Sequence, residues 1–290
     1  MKKKLYGIIA GIMVAALALT GCSGGGNGSG DAEKPVIELG YVQWACANAN
    51  SHMLKALLEE KFDVEVNLRD MDAGLLWQSI STGDVDMMVT AWLPTTHGSY
   101  YEKLKDSVVD LGPLYEGAQI GLVVPSYVTI DSIEQLNDSA QEFDGQIIGI
   151  DAGAGIMAAT EQALVDYGMD NMKLVQSSDA VMTAQLKTSL EKNEWVVVTG
   201  WTPHWMFGAF DLKFLEDPKG TYGSNETINA LTRLDFATDY PEINEFLDNY
   251  SLSTEQFGSL ISIMEEYEDD NEAAKAWIEQ NQELVDSWFS

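Results

Sequence analysis

Apolar positions along the chain follow two alternating rhythms. Short, nearly continuous apolar runs over 36–42, 64–68, 87–91, 120–124, 147–150, 173–175 and 196–199 predict strands. Their lack of a polar face implies cover on both sides. Between these runs, helical spacing predicts helices over 50–61, 73–82, 131–137, 155–167 and 179–191. Such alternation argues for an α/β fold with largely parallel sheets. The tail changes character: 240–250, 254–268 and 271–289 read as helices, with Ser253 or Thr254 as a cap.

Two sheets of about five strands each, followed by a helical tail, fit a two-lobed α/β architecture. A crossing near Val124-Pro125 and a return over 227–233 divide the body. Residues 36–124 and 232–290 fall to lobe 1, and 125–231 to lobe 2.

The first thirty-five residues read differently. Met1-Lys2-Lys3-Lys4 is a basic start, and the apolar run from Ile8 to Leu19 is short of the ~20 residues a membrane span needs. It ends Leu19-Thr20-Gly21-Cys22, which resembles the lipobox of bacterial lipoproteins. The expectation is a signal peptide over 1–21, lipidation at Cys22, and a Gly/Ser tether over 22–35. A lipid anchor with a flexible spacer suits a soluble body held at the extracytoplasmic face of the cell membrane.

Charge narrows the partners. The chain carries 16 Lys+Arg against 46 Asp+Glu, a formal charge of −30. A basic face for nucleic acid is therefore absent, and membrane attachment cannot come from Lys/Arg patches. The catalytic repertoire is thin. There is no phosphate-binding Gly-rich loop with Lys, no His-x-x-x-His pair, no Gly-x-Ser-x-Gly elbow, and a single cysteine, Cys46, beyond Cys22. No catalytic residue, metal or cofactor is expected. Gly153-Ala154-Gly155-Ile156-Met157-Ala158 formally matches a dinucleotide fingerprint on only two glycines. Its local physics serves any anion, because a helix N-terminus offers free N–H groups.

The eight tryptophans carry more information. Trp44, Trp92 and Trp201 each stand at the end of an expected strand, whereas Trp77, Trp195, Trp277 and Trp288 read as packing residues. In open α/β sheets, ligands bind beyond the carboxyl ends of strands, so the three strand-end indoles converge on one place. A quaternary ammonium has no N–H to donate and is best held by aromatic faces, each worth up to about 2 kcal/mol when desolvated. Together with the helix start at Gly155-Ile156 and with His97, the pattern reads as a cation cage facing a carboxylate clamp. Micromolar binding needs about −8 kcal/mol, which three faces and a clamp can supply.

At these residues the chain resembles the substrate-binding lipoproteins of glycine betaine/proline betaine ABC importers. The segments that carry the resemblance include Asp72-Ala73-Gly74-Leu75-Leu76-Trp77, Ala91-Trp92-Leu93-Pro94-Thr95-Thr96-His97, Gly121-Leu122-Val123-Val124-Pro125, Gly153-Ala154-Gly155-Ile156-Met157 and Thr199-Gly200-Trp201-Thr202-Pro203-His204-Trp205-Met206-Phe207. The resemblance implies a periplasmic-binding-protein-like (type II) fold with a hinge. It assigns the cage to Trp44, Trp92 and Trp201, and the carboxylate contacts to the Gly155 and Ile156 N–H groups and the His97 side chain. It also implies a membrane permease with its ATPase as partner. After the first cage Trp, the family pattern is acidic and polar (Asp-Ser-Glu or similar), whereas this chain has Ala45-Cys46-Ala47. Choline or carnitine therefore remain alternative ligands; an exported enzyme acting on a small zwitterion, or a sensor on the same fold, are alternatives of other classes.

Overall fold

The computed structural model describes residues 34–289. Nine strands are β1 (Val36–Tyr41), β2 (Glu65–Asp70), β3 (Met87–Leu93), β4 (Val108–Pro125), β5 (Gln146–Ile148), β6 (Lys173–Val175), β7 (Val198–Thr202), β8 (Leu212–Phe214) and β9 (Glu226–Arg233). They run in the order β2-β1-β3-β9-β4-β7-β5-β6, with β8 also on β4. Strand β4 belongs to two sheets. Its first part pairs β9 from Val108↔Arg233 to Ala118↔Glu226, and its second pairs β7 from Gln119↔Thr202 to Val123↔Val198. Counting β4 in both, each sheet has five strands, and the partner change lies between Ala118 and Gln119.

The turn in β4 has a local cause. Its register shifts between Glu116 and Ala118, and Gly117 sits there at φ 90°, a left-handed conformation only glycine takes without strain. A bulge of this kind bends a strand and re-aims it.

The sheets are mixed rather than largely parallel. β1 with β2 and β3, and β5 with β6 and β7, pair in parallel, but every antiparallel pair involves β4 or β9. Apolar runs predict strands but not their direction, so the two crossing strands are what the periodicity missed. β9, β8 and the first twelve residues of β4 (108–119) were not expected as strands. Their polar insertions, Asp110, Glu116 and Asn229 among them, break the apolar run. The expected helix at 73–82 appears as Ala73–Thr82 and that at 155–167 as Gly155–Asp166, while 131–137 holds only a single 3₁₀ turn, Ile133–Gln135. The final segment breaks at Asn281 into Asp270–Gln280 and Gln282–Ser287.

The core runs through both sheets and out beneath the helical tail. Trp77, Phe236, Phe257 and Trp277 are among its largest fully buried side chains. Trp288 is buried as well, whereas Trp195 lies in the loop before β7, half-buried against Phe143. Trp277 anchors its indole N–H on Ser259 Oγ at 2.8 Å, tying two tail helices together. The helix Thr254–Met264 starts on a capping box: Ser253 Oγ accepts from Gln256 N, and Gln256 Oε1 accepts from Ser253 N. Replacing exposed Ser253 by Ala removes that reciprocal pair, and urea unfolding should register a loss of about 1 kcal/mol with an unchanged denaturant slope.

Candidate functional site

Trp92 is the last but one residue of β3 and Trp201 the last but one of β7, while Trp44 caps the helix Ala45–Lys61 three residues after β1. Two of these strands belong to the first sheet and one to the second. All three indoles are buried. They line one cavity together with Thr96, Ile120, Ile150, Ala154, Gly155 and Ile156. Ile120 reaches it because β4 pairs Ile120 with Trp201 after changing sheets. The wall is apolar apart from Thr96 and exposed backbone, and it presents no side-chain charge of its own.

The helix Gly155–Asp166 opens onto this cavity. Its cap residue, Ala154, supplies no side-chain hydrogen bond, and the first turn holds no acidic residue. The first N–H groups of any helix lack intrahelical partners, and the helix dipole adds positive potential there. Gly155 itself is required by packing: a Cβ built on it would stand 2.1 Å from the Thr96 carbonyl oxygen. Here the loop after β3 presses on the helix that follows β5, so the two sheets meet at the glycine. The apparent dinucleotide fingerprint is thus explained by contact between the two halves.

The Thr96 loop is held by Glu226, the first residue of β9, which is buried. Its Oε1 accepts from Thr95 N and Thr96 N, each at 2.7 Å, and its Oε2 accepts from the Thr96 hydroxyl. Leu93-Pro94 and Thr202-Pro203, two residues past Trp92 and Trp201, are cis peptides.

His97 is 1% exposed and is not among the residues lining the cavity; it stacks on Trp44 with ring centroids 5.8 Å apart and meets Trp77 edge-on. Trp92 N donates to His97 Nδ1 at 3.0 Å, which leaves the proton on Nε2. That buried Nε2 has no partner among the described residues. Burial holds the imidazole down to about 3, so it stays a neutral donor at ordinary pH. His204 has the same tautomer, because Met206 N donates to its Nδ1, but its Nε2–H is already committed to Asp179 Oδ1 at 3.0 Å. Of these two, His97 alone keeps a free donor, a distinction that spacing does not reveal.

Sequence reading missed the two aspartates that hold Trp44. Trp44 Nε1 donates to Asp151 Oδ2 at 2.8 Å, and the next residue, Ala45, donates its backbone N–H to Asp179 Oδ2 at 2.9 Å. Both acids follow strands of the second sheet, far from Trp44 in the chain, and no motif links them. The Trp92 indole N–H has no partner among the described residues. Cys46 is buried and does not line the cavity; burial, with Asp179 nearby, pushes its thiol up to about 12, which makes it an inert packing group. Cys22 and the apolar leader lie outside the described residues. Among those residues, no cluster of His, Cys, Asp and Glu fits a metal ion, and no helix is long and apolar enough to cross a membrane.

Two sheets sharing a crossing strand, with a Trp-lined cavity at their junction, define a two-lobed periplasmic-binding-protein fold. Residues 35–280 match the family model OpuAC, the substrate binding domain of ABC-type glycine betaine transport system, and the chain belongs to that family. The family is one of transport substrate-binding domains and not of enzymes. The chain is 41% identical over 162 residues to the glycine betaine/carnitine transport binding protein GbuC of Listeria monocytogenes, a match spanning 55% of this chain and 54% of that one. The chain thus aligns with about half the length of that curated relative. Among solved structures, lactococcal OpuAC in its closed, glycine betaine-bound form matches with TM-score 0.83 and 38% identity, covering 88% of this chain and all (100%) of that one. The glycine/betaine/L-proline-binding protein ProX of Borrelia burgdorferi matches with TM-score 0.83 and 37% identity, over 87% of this chain and 96% of that one.

The buried His97 predicts a pH signature. Below the ordinary value of about 6.5, the unfolded chain takes up a proton that the folded chain refuses until about pH 3. This group therefore adds nothing to the pH dependence above 6.5, and removes up to about 1.4 kcal/mol of stability per pH unit below it. The urea-measured stability of wild type minus that of His97→Asn should fall steadily from pH 7 to pH 4. A constant difference would show that the ring is protonated inside the fold.

Proposed function

We propose that this chain is an extracytoplasmic receptor that captures glycine betaine, proline betaine or a related quaternary ammonium zwitterion and delivers it to an ABC permease driven by its ATPase. The body would be tethered at the outer face of the cell membrane through a lipidated Cys22. Trp44, Trp92 and Trp201 surround the cation, the Gly155 and Ile156 N–H groups meet the carboxylate, and His97 Nε2–H adds a donor to it. The lobes comprise 36–124 with 232–290, and 125–231; the partner change in β4 at 118/119 supports a crossing close to that division.

The observation that carries this reading is the meeting of three indoles, drawn from both sheets, around one uncharged cavity beside an uncapped helix start. A trimethylammonium loses its hydration on entry and recovers it only where aromatic faces surround it. Glycine betaine and carnitine also carry a carboxylate, which suits the free donor on His97 better than choline does.

Two measurements follow. Calorimetric titration of Trp92→Ala and Trp201→Ala with glycine betaine should give affinities at least tenfold weaker than wild type; unchanged affinity in both would sink the cage assignment. His97→Ala should weaken glycine betaine more than choline, by about tenfold against little change. Equal losses would remove His97 from carboxylate recognition.

A further inference from the structure

Three side-chain hydrogen bonds join the two halves beside the cavity, and two of them hold adjacent residues, Trp44 and Ala45. The Trp44 indole N–H is held by Asp151 Oδ2 at 2.8 Å. The Ala45 backbone N–H, the first of its helix, is held by Asp179 Oδ2 at 2.9 Å. The third joins Tyr100 Oη to the Gly153 carbonyl at 3.1 Å. Trp44 and Ala45 follow a first-sheet strand, whereas Asp151 and Asp179 follow β5 and β6 of the second.

Asp179 continues the connection inward. Its Oδ1 meets His204 Nε2 at 3.0 Å, and the His204 ring packs edge-on against Trp201 with centroids 4.7 Å apart. Trp44 and Trp201, from opposite sheets, are thus joined through Ala45, Asp179 and His204. Asp151 lies between two cavity-lining segments, at Ile150 and Ala154, and its second oxygen is buried with no partner among the described residues.

We infer that Asp151 and Asp179 are positioning residues that form a clasp across the cleft, tying lobe closure to the orientation of the Trp44 indole. When the sheets separate, both hydrogen bonds break and Trp44 loses its only indole partner. When they close, one carboxylate fixes the indole and the other seats the helix that begins beside it. A carboxylate at a helix N-terminus is favoured by the dipole. The clasp acts after ligand has entered, so it governs release more than capture. The residue whose N–H Asp179 holds is the neutral, half-buried Ala45, and an acid in its place would add a like charge beside Asp179.

The inference rests on the receptor reading, and the test keeps the two apart. Asp151→Ala, Asp151→Asn, Asp179→Ala and Ala45→Asp are compared with wild type by stopped-flow tryptophan fluorescence with glycine betaine. Thermal unfolding is recorded with and without that ligand, and the distance between dyes on the two lobes in both conditions. Both alanine variants should release betaine about tenfold faster or more, with association changed less than threefold. Asp151→Asn, which keeps an acceptor for the indole, should recover much of the loss, while Ala45→Asp should weaken binding as the alanine variants do. The melting temperature without ligand should match wild type in Asp151→Ala, whose lost hydrogen bond crosses the cleft, whereas Asp179→Ala also leaves His204 Nε2 unpaired and should melt lower with and without ligand.

Unchanged release in both alanine variants overturns the clasp, as does a ligand-free melting temperature of Asp151→Ala lowered as much as the liganded one, which would mark a structural role. If wild type itself ignores glycine betaine, the receptor reading fails instead. The clasp is then judged on interlobe distance: a closed fraction equal in wild type and both alanine variants overturns it.

Discussion

The approach of the Thr96 loop to the helix start at Gly155 is the constraint on which the rest of the site depends. A single added methyl there would meet the Thr96 carbonyl at 2.1 Å, so the two sheets come together only over a bare backbone. That contact closes a cavity whose walls come from both halves, and it leaves an uncapped helix N-terminus facing three indoles. Glu226 supports it from behind by accepting three hydrogen bonds from Thr95 and Thr96. Since Glu226 opens β9, the strand that returns to the first sheet, the loop is braced by the element that joins the halves.

The site combines two solutions to desolvation. A permanent cation without an N–H cannot hydrogen-bond a carboxylate, and aromatic faces hold it without bringing a second charge that must be desolvated. The anionic end of a zwitterion requires donors, and in the proposed function these are backbone N–H groups and the neutral His97 imidazole, which import no charge that would itself need solvating. Burial keeps His97 neutral, so its donor persists across the ordinary pH range. The acidic balance of the chain, −30 overall, lies elsewhere: no acid lines the cavity, and behind its wall Asp151 and Asp179 hold Trp44 and Ala45 while Glu226 holds Thr96.

Much of this was legible in the chain. Strand-end tryptophans are unusual enough to mark a site, and Trp44, Trp92 and Trp201 do share a cavity with Gly155 and Ile156. The apolar runs placed seven strands because strands covered on both faces leave a continuous signal. What stayed hidden depends on tertiary approach. β9 and the first part of β4 carry polar residues such as Asn229 and Asp110, which hydrogen-bond each other across the pair at 2.8 Å and erase the apolar run. Asp151 and Asp179 look like ordinary surface acids in sequence, because their partners lie 107 and 134 residues away. His97 differs from His204 only through what each Nε2 touches, and no spacing rule records that.

Cation recognition by indole faces is the central claim, and one comparison isolates it. 3,3-Dimethylbutanoate has the shape and carboxylate of glycine betaine, with a neutral carbon in place of the quaternary nitrogen. Calorimetric titration of both compounds against the wild-type chain should show the neutral analogue binding at least a hundredfold more weakly, as expected when each of several faces contributes about 1 kcal/mol or more to holding the charge. Comparable affinities would mean that the tryptophans act as a hydrophobic box for any tert-butyl-shaped group, and would contradict the account.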